Sequence, residues 1–121
     1  MKDILIYQKS YDLSLNIHKK TLTFPPIEQV SGIADQLRKS SKSVPFNIAE
    51  GYNHLVTYPL KFKRHIMLSI SSNDESKLWL RYSKEFGYLS KELYEECYNE
   101  CEKIGHMLFG LYERVKFEIE K

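Results

Sequence analysis

The residues that could carry chemistry in this chain are few, beginning with two cysteines. Cys97 and Cys101 are four residues apart, so they lie on one face of a helix and could supply half of a zinc site. No second pair of ligands stands nearby at ligand spacing, and both cysteines fall on an apolar helical stripe, where cysteine behaves as a small hydrophobic residue. The spacing therefore favours core packing over metal binding.

The four histidines lie outside any known catalytic motif. His18, His54, His65 and His106 are not part of an H-E-x-x-H sequence, and the chain lacks the glycine-flanked serine of hydrolases. It also lacks the glycine-rich loops that hold nucleotide phosphates. We therefore expect no enzyme activity, no metal and no cofactor.

Basic residues concentrate in the middle of the chain. Between Arg38 and His65 there are six bases and one acid, Glu50, although the whole chain has a net charge of only +2. Cations neutralise phosphates, and aromatic rings among them can stack on unpaired bases. A solvated helix face is the alternative interpretation. A nucleic-acid interface here would use Arg38, Lys39, Lys42, Lys61, Lys63 and Arg64, with Tyr52 and Tyr58 as stacking residues.

Two further polar groups have more than one interpretation. From Ser90 to Glu102 there are five acids and one base, which indicates either a solvated helix face or a surface for a protein partner. Asn47 and Glu50 are three residues apart and share one helix face. Because buried polar groups need partners, we predict a structural polar cluster of Gln36, Asn47 and Glu50 rather than a catalytic carboxylate.

Four long helices are predicted to position these residues, over about 3–21, 28–51 and 57–86, and from 90 onward. Two consecutive prolines end the first helix. In the last helix, apolar residues from Cys97 to Val115 step by four and three, which is typical of a helix that packs along its whole length. The first helix is expected to pack through Ile4, Tyr7, Tyr11, Leu15 and His18.

Pro45 falls inside the second predicted helix. Because it removes a backbone donor, the helix either bends there or ends and restarts at Ser43. The apolar spacing continues across the proline, which favours a bend. Long helices with short connections predict an all-α, antiparallel, up-down-up-down four-helix bundle with a proline kink in its second helix.

Length and composition agree with one such domain over residues 1–121. Glycine and proline are too few for many short strands joined by tight turns. No stretch approaches the 18 or so apolar residues of a membrane span, and the first eight residues turn polar too soon for a signal peptide. Two cysteines indicate no disulfide scaffold, so we expect a cytoplasmic protein.

Several segments resemble a known bacterial family. DILIYQKS at 3–10 and VPFNIAEG at 44–51 resemble the four-helix-bundle proteins encoded in intervening sequences of 23S ribosomal RNA genes. Gln36-Leu37-Arg38 and Phe86-Gly87-Tyr88-Leu89 fit the same family, so the resemblance covers nearly the whole chain. The third helix departs from the family pattern, because Ser72 and Glu75 match while the usual glycine and leucine beside them are absent.

The resemblance implies an antiparallel bundle that assembles into a homo-oligomeric ring, a pentamer. It also implies similarity to the accessory variability protein of diversity-generating retroelements, which binds nucleic acid and a reverse transcriptase. We therefore expect a non-enzymatic bundle that binds RNA or another structured nucleic acid as an accessory or scaffold protein. The alternative is a protein-interaction module that docks a partner enzyme, such as a reverse transcriptase, without binding nucleic acid directly.

Overall fold

The computed structural model describes residues 4–121, which form five helices and no strand. The four long helices form the predicted up-down-up-down bundle. The predicted start at Asp3 and the side chain of Ile4 lie outside the described part of the chain. No helix of this part is both long enough and apolar enough to cross a membrane. The helices are α1 (Ile4–Thr21), α2 (Pro26–Gln29), α3 (Ile33–Tyr52), α4 (Pro59–Glu85) and α5 (Lys91–Glu120).

The contacts between the long helices define their arrangement in the bundle. α3 packs against α1 and α4, and α5 also packs against α1 and α4, so α1 and α4 are diagonal in the bundle. α2 is a single turn within the connection between α1 and α3, where the sequence predicted the beginning of the second long helix. That helix begins only at Ile33, after Ser31 adopts a positive φ of 61°.

The first helix packs through a different stripe from the one predicted. Ile6, Leu13 and Ile17 are buried, whereas Tyr11 and Leu15 of the predicted stripe are each 42% exposed. Serines interrupt the buried stripe, and their hydroxyls donate to carbonyls of the same helix. α1 therefore carries two apolar stripes, and local spacing did not distinguish the one that faces the core.

α3 continues through Pro45, as the apolar spacing predicted. Pro45 is buried and has no N–H to donate to the carbonyl of Ser41, which is the cause of the predicted bend. The helix ends at Tyr52, one residue after Gly51. Gly51 lies so close to α4 that an added Cβ would be 3.2 Å from the ring of Phe62.

Serines line the contact between α3 and α4. The hydroxyls of Ser40 and Ser76 are 2.8 Å apart, and those of Ser43 and Ser72 are also 2.8 Å apart. Ser69 donates to a carbonyl of α3 at 2.9 Å. Because these small side chains satisfy one another, the two helices approach closely without leaving buried polar groups unpaired.

The apolar stripe of α5 is buried as predicted. Cys97, Cys101, Ile104 and Leu108 are each 0% exposed. Burial raises the pKa of Cys97 to about 11 and that of Cys101 to about 12, so both thiols stay protonated at neutral pH. Within residues 4–121, no group of three or more His, Cys, Asp or Glu side chains could hold a metal ion. The cysteines therefore act as core residues.

The turn between α4 and α5 is set by local caps. Gly87 has a φ of 77°, its N–H donates to the carbonyl of Lys84 at 3.0 Å, and the N–H of Tyr88 donates to that of Ser83 at 2.8 Å. The hydroxyl of Ser90 then caps α5 by accepting a hydrogen bond from the N–H of Leu93 at 3.2 Å. This turn brings Tyr88 back against the buried end of the bundle.

Candidate nucleic-acid interface

Arg38, the first of the predicted phosphate-binding residues, is committed to the fold. Its guanidinium donates to Thr21 Oγ1 and Gln29 Oε1, both at 2.9 Å, and to the Gln29 carbonyl at 3.0 Å. Gln29 also donates to the carbonyls of Thr21 and Phe24. These bonds join the end of α1, α2 and α3. Arg38 therefore has a structural role in this connection, and its role as a phosphate contact stays a prediction.

The next two predicted bases on α3 also have partners. Lys39 forms an exposed ion pair with Asp35 at 3.0 Å. Lys42 Nζ lies 2.7 Å from Nδ1 of His18 on α1. Burial, followed by the charges of Lys42 and Arg38, lowers the pKa of His18, so at neutral pH the imidazole is uncharged and can accept this bond.

The other three predicted bases lie together in the first two turns of α4. Lys61 and Arg64 are exposed and Lys63 is half-buried. Lys61 Nζ lies 4.5 Å from the ring centroid of Tyr58, and Lys63 Nζ lies 5.6 Å from that of Tyr112. Among residues 4–121, no carboxylate forms an ion pair with any of the three. We call Lys61, Lys63 and Arg64 the α4 cation group.

The placement of the α4 cation group opposes the dipole of its own helix. The N-terminus of a helix carries partial positive charge, so acids there are stabilising and bases cost about 0.3–1 kcal/mol each at an exposed site. α4 has no acid in its first turn. His54 lies at the same end, and its ring stacks on that of His65 at a centroid distance of 5.9 Å. A bound anion would relieve the repulsion between these bases and the positive end of the helix. Phosphate carries the negative charge and the acceptor oxygens that such a site can bind.

The six predicted cations do not form one continuous patch. Lys42 faces α1, while Lys63 faces α5. The α1–α3 and α4–α5 faces are on opposite sides of the bundle, because α1 and α4 are diagonal. The sequence window that collects the six cations spans two antiparallel helices, and these helices direct their residues to different faces.

The two predicted stacking residues also differ from each other. Tyr52 is half-buried, and its ring meets the edge of the Phe62 ring at a centroid distance of 4.9 Å, so it belongs to the packing of the bundle end. Tyr58 is 52% exposed, with Lys61 on one side and the His54 ring at 6.1 Å. Only Tyr58 therefore stays at the surface.

Asn47 anchors a polar cluster, but not with the predicted partners. Its Nδ2 donates to the carbonyl and hydroxyl of Ser43, both at 3.0 Å, and its Oδ1 lies 3.0 Å from His65 Nδ1. Gln36 is eleven residues earlier, about 16 Å along the same helix, and Glu50 takes no part in these bonds. The polar cluster of Asn47 therefore joins α3 to α4 through His65.

Comparisons with known proteins identify the family. A model of the 23S rRNA-intervening sequence protein family matches residues 2–110. The chain belongs to this family. This confirms the resemblance noted in the sequence, whereas similarity to the accessory variability protein stays a prediction. No curated protein matches the chain.

A solved structure shows the same fold for a relative of this intervening-sequence protein. It is a crystal structure of a protein of unknown function from the S23 ribosomal protein family of Bacteroides thetaiotaomicron. The TM-score is 0.84 and the identity 20%, over 93% of this chain and 99% of that one. At this identity the likeness concerns the fold alone.

This member of the family has an aromatic row that sequence analysis did not single out. Consecutive ring centroids are 5.3 Å apart for Phe24 and Tyr88, 5.9 Å for Tyr88 and Phe86, 6.2 Å for Phe86 and Tyr82, and 5.8 Å for Tyr82 and Trp79. Phe24 is buried, whereas Phe86 is 59% exposed. Positions 79, 82 and 86 share one helical stripe, which the sequence could have shown. Its exposure to solvent depends on the packing of the bundle.

A second unforeseen feature of this family member joins α4 to α5. Three lysines of α4, spaced by fourteen and then seven residues, each lie over a tyrosine of α5. Such contacts contribute about 0.5–1 kcal/mol each at exposed sites, so they help to hold this face together. The pairs are Lys63–Tyr112, Lys77–Tyr98 and Lys84–Tyr94, with ammonium-to-centroid distances of 5.6, 5.4 and 4.8 Å.

Proposed function

We propose that this family member is a non-enzymatic, homo-oligomeric bundle that binds RNA or another structured nucleic acid as an accessory or scaffold protein. The observation that carries the proposal is the α4 cation group. Its three bases have no carboxylate partner within residues 4–121 and lie at the positive end of their helix, where a phosphate is the complementary ligand.

Self-association is supported by apolar surface that a single chain leaves uncovered. Tyr11 and Leu15, on the second apolar stripe of α1, border a groove of about 310 Å³ together with Phe46, which is 61% exposed. Pro45 and Ala49 of α3 line the same groove. An exposed apolar face of this kind is typical of a protein contact, and a second copy of the chain is the proposed occupant.

A ring requires this groove to meet a different face of the next copy. α4 exposes Leu60, Met67 and Leu78, which are spaced so that they lie on one outer side of the helix. Because α4 is diagonal to α1, the chain has two unlike apolar surfaces that point away from each other. The resemblance to the family implies five subunits. In a ring, the α4 cation group would be repeated once in each subunit. Several weak phosphate contacts would then combine to give a higher overall affinity for one nucleic acid.

Neutralising the α4 cation group is the test of nucleic-acid binding. We expect the triple variant Lys61→Gln, Lys63→Gln, Arg64→Gln to bind a structured RNA hairpin on the order of a hundredfold more weakly at about 0.1 M salt. The slope of log affinity against log salt should fall by about two to three, because each lost phosphate contact removes about one counterion. Fluorescence anisotropy titrations between about 50 and 200 mM salt measure both quantities.

The matched control removes the same charge elsewhere. Lys19→Gln, Lys91→Gln, Lys103→Gln neutralises three exposed lysines on α1 and α5, and it should change the slope by less than one. The proposal is wrong if the wild-type chain binds no RNA anywhere in this salt range. It is also wrong if the control weakens binding as much as the triple variant, because the effect would then depend on net charge alone.

Placing a charge in the α1–α3 groove tests self-association. Leu15→Glu should convert the oligomer to a species of monomer mass, because an unpaired carboxylate in an apolar contact is strongly unfavourable. Light scattering coupled to size exclusion measures the mass of both proteins. Phe109→Glu, at an exposed position of α5, is the control and should keep the oligomer. A wild-type chain that is already monomeric at micromolar concentration would contradict the proposal.

A further inference from the structure

We propose that the aromatic row at the C-terminal end of α4 is a platform on which unpaired nucleobases stack, and this inference rests on the proposed function. The rings of the row that a base could reach are Tyr82 and Phe86, which are exposed, and Trp79 and Tyr88, which are half-buried. The ligand class is a single-stranded stretch of RNA or DNA, such as a loop or an end. Paired bases are covered by their neighbours in the duplex, whereas unpaired bases expose their faces to aromatic side chains.

The row is held in place at both ends, and its two middle rings, Tyr82 and Phe86, are exposed. The Tyr88 hydroxyl donates to Glu28 Oε2 at 2.8 Å, and its ring packs on the buried ring of Phe24. At the opposite end, Trp79 Nε1 donates to Glu75 Oε2 at 3.3 Å. Because these contacts orient the rings before a ligand arrives, stacking would cost little additional side-chain entropy.

The packing of a single chain does not account for this surface. Tyr82 and Phe86 are 44% and 59% exposed, and their rings are nearly parallel, with an interplanar angle of 15°. Exposed apolar patches of neighbouring aromatic residues on soluble proteins mark binding sites. Two near-parallel rings present the flat faces that a base can use whatever its identity.

The row lies on the same side of α4 as two members of the α4 cation group. Lys61 and Trp79 are eighteen residues apart, as are Arg64 and Tyr82, and eighteen residues make five helical turns. Each of these two cations is therefore about 27 Å from the ring with which it shares one face of α4. A single strand along the stripe would place phosphates on the cations while its bases reach the rings, which is the charge and ring pattern of single-strand binding surfaces.

This stripe borders the surface proposed for subunit contact but is turned toward α3. Residues 72, 79 and 86 are spaced by seven, and Ser72 bonds to Ser43 of α3, so the row lies on the α3 side of α4. Met67, one of the outer apolar residues of α4, is four residues from Lys63, which faces α5. The row is therefore turned toward α3 and borders the outer apolar surface, because Leu60 and Leu78 lie four residues from Arg64 and Tyr82.

The single tryptophan of the chain makes the proposal directly measurable. Trp79 is the only tryptophan, so its emission reports on the row alone. A single-stranded oligoadenylate of about 12 nucleotides should quench this emission on binding, since that length falls within the site sizes of single-strand binding folds. A fully paired RNA duplex of the same length should leave the emission unchanged, because its bases are not free to stack.

A matched pair of variants tests the contribution of stacking. Phe86→Leu should weaken binding of the oligoadenylate about five- to a hundredfold, the range found when an aromatic platform residue is removed. Phe109→Leu makes the same change at a residue of α5 that is 58% exposed, and it should leave the affinity unchanged. Both positions are exposed, so neither variant should disturb folding.

The outcomes separate this inference from the proposed function. Equal quenching by strand and duplex, or equal loss of affinity in both phenylalanine variants, would overturn base stacking on the row. If hairpin RNA binds through the α4 cation group while Phe86→Leu has no effect on oligoadenylate binding, this inference fails and the proposed function stands. If the wild-type chain binds neither RNA, both are wrong.

Discussion

Replacing Arg38 by alanine is expected to lower the free energy of unfolding by about 2–4 kcal/mol, although Arg38 begins a run of bases that resembles a ligand-binding surface. The half-buried guanidinium makes three hydrogen bonds to Thr21 and Gln29. Hydrogen bonds to charged groups are worth about 1.5–3 kcal/mol, and their loss leaves polar atoms of the connection without partners. Urea denaturation followed by circular dichroism measures the change.

The neighbouring lysine is the control for this variant. Lys39→Ala should leave the free energy of unfolding nearly unchanged, because its ion pair with Asp35 is exposed to solvent and is screened by salt. At a temperature where Arg38→Ala is still folded, its affinity for RNA should equal that of the wild type. A variant with full stability but weakened RNA binding would show that Arg38 contacts phosphate after all.

Replacing Phe62 by alanine is expected to lower the free energy of unfolding by about 3–5 kcal/mol, the usual range for removing a buried phenylalanine ring. Phe62 is 1% exposed and packs against the Tyr52 ring and the backbone of Gly51. It is also the residue between Lys61 and Lys63, so its burial holds the first turn of α4 against α3. Chemical denaturation of purified protein measures the change.

Two comparisons decide whether that loss reflects core packing. Phe109→Ala removes the same ring from a residue that is 58% exposed and should change stability by less than about 0.5 kcal/mol. Phe62→Leu should recover most of the loss, because it keeps an apolar side chain of similar size at the site. A loss below about 1 kcal/mol for Phe62→Ala would mean that this end of the bundle collapses around the cavity.

Features that depend on neighbouring residues could be predicted from the sequence. The stepping of Cys97 to Val115, the cap at Ser90 and the left-handed turn at Gly87 each involve contacts within one or two helical turns. The passage of α3 through Pro45 followed from apolar spacing on both sides of it. These local signals were sufficient to predict the four-helix bundle. The segments that resemble the 23S rRNA-intervening sequence family were sufficient to identify the family.

Features that depend on the pairing of distant residues appeared only in the folded chain. Arg38 donates hydrogen bonds to Gln29 and Thr21, which are nine and seventeen residues earlier in the chain. Asn47 forms a hydrogen bond with His65 of the next helix. The choice between the two apolar stripes of α1 depends on which one packs against α3 and α5, and helical spacing is the same for both. Periodicity defines the faces that a helix has, but only packing against other helices decides which face is buried and which cations and rings remain in solvent.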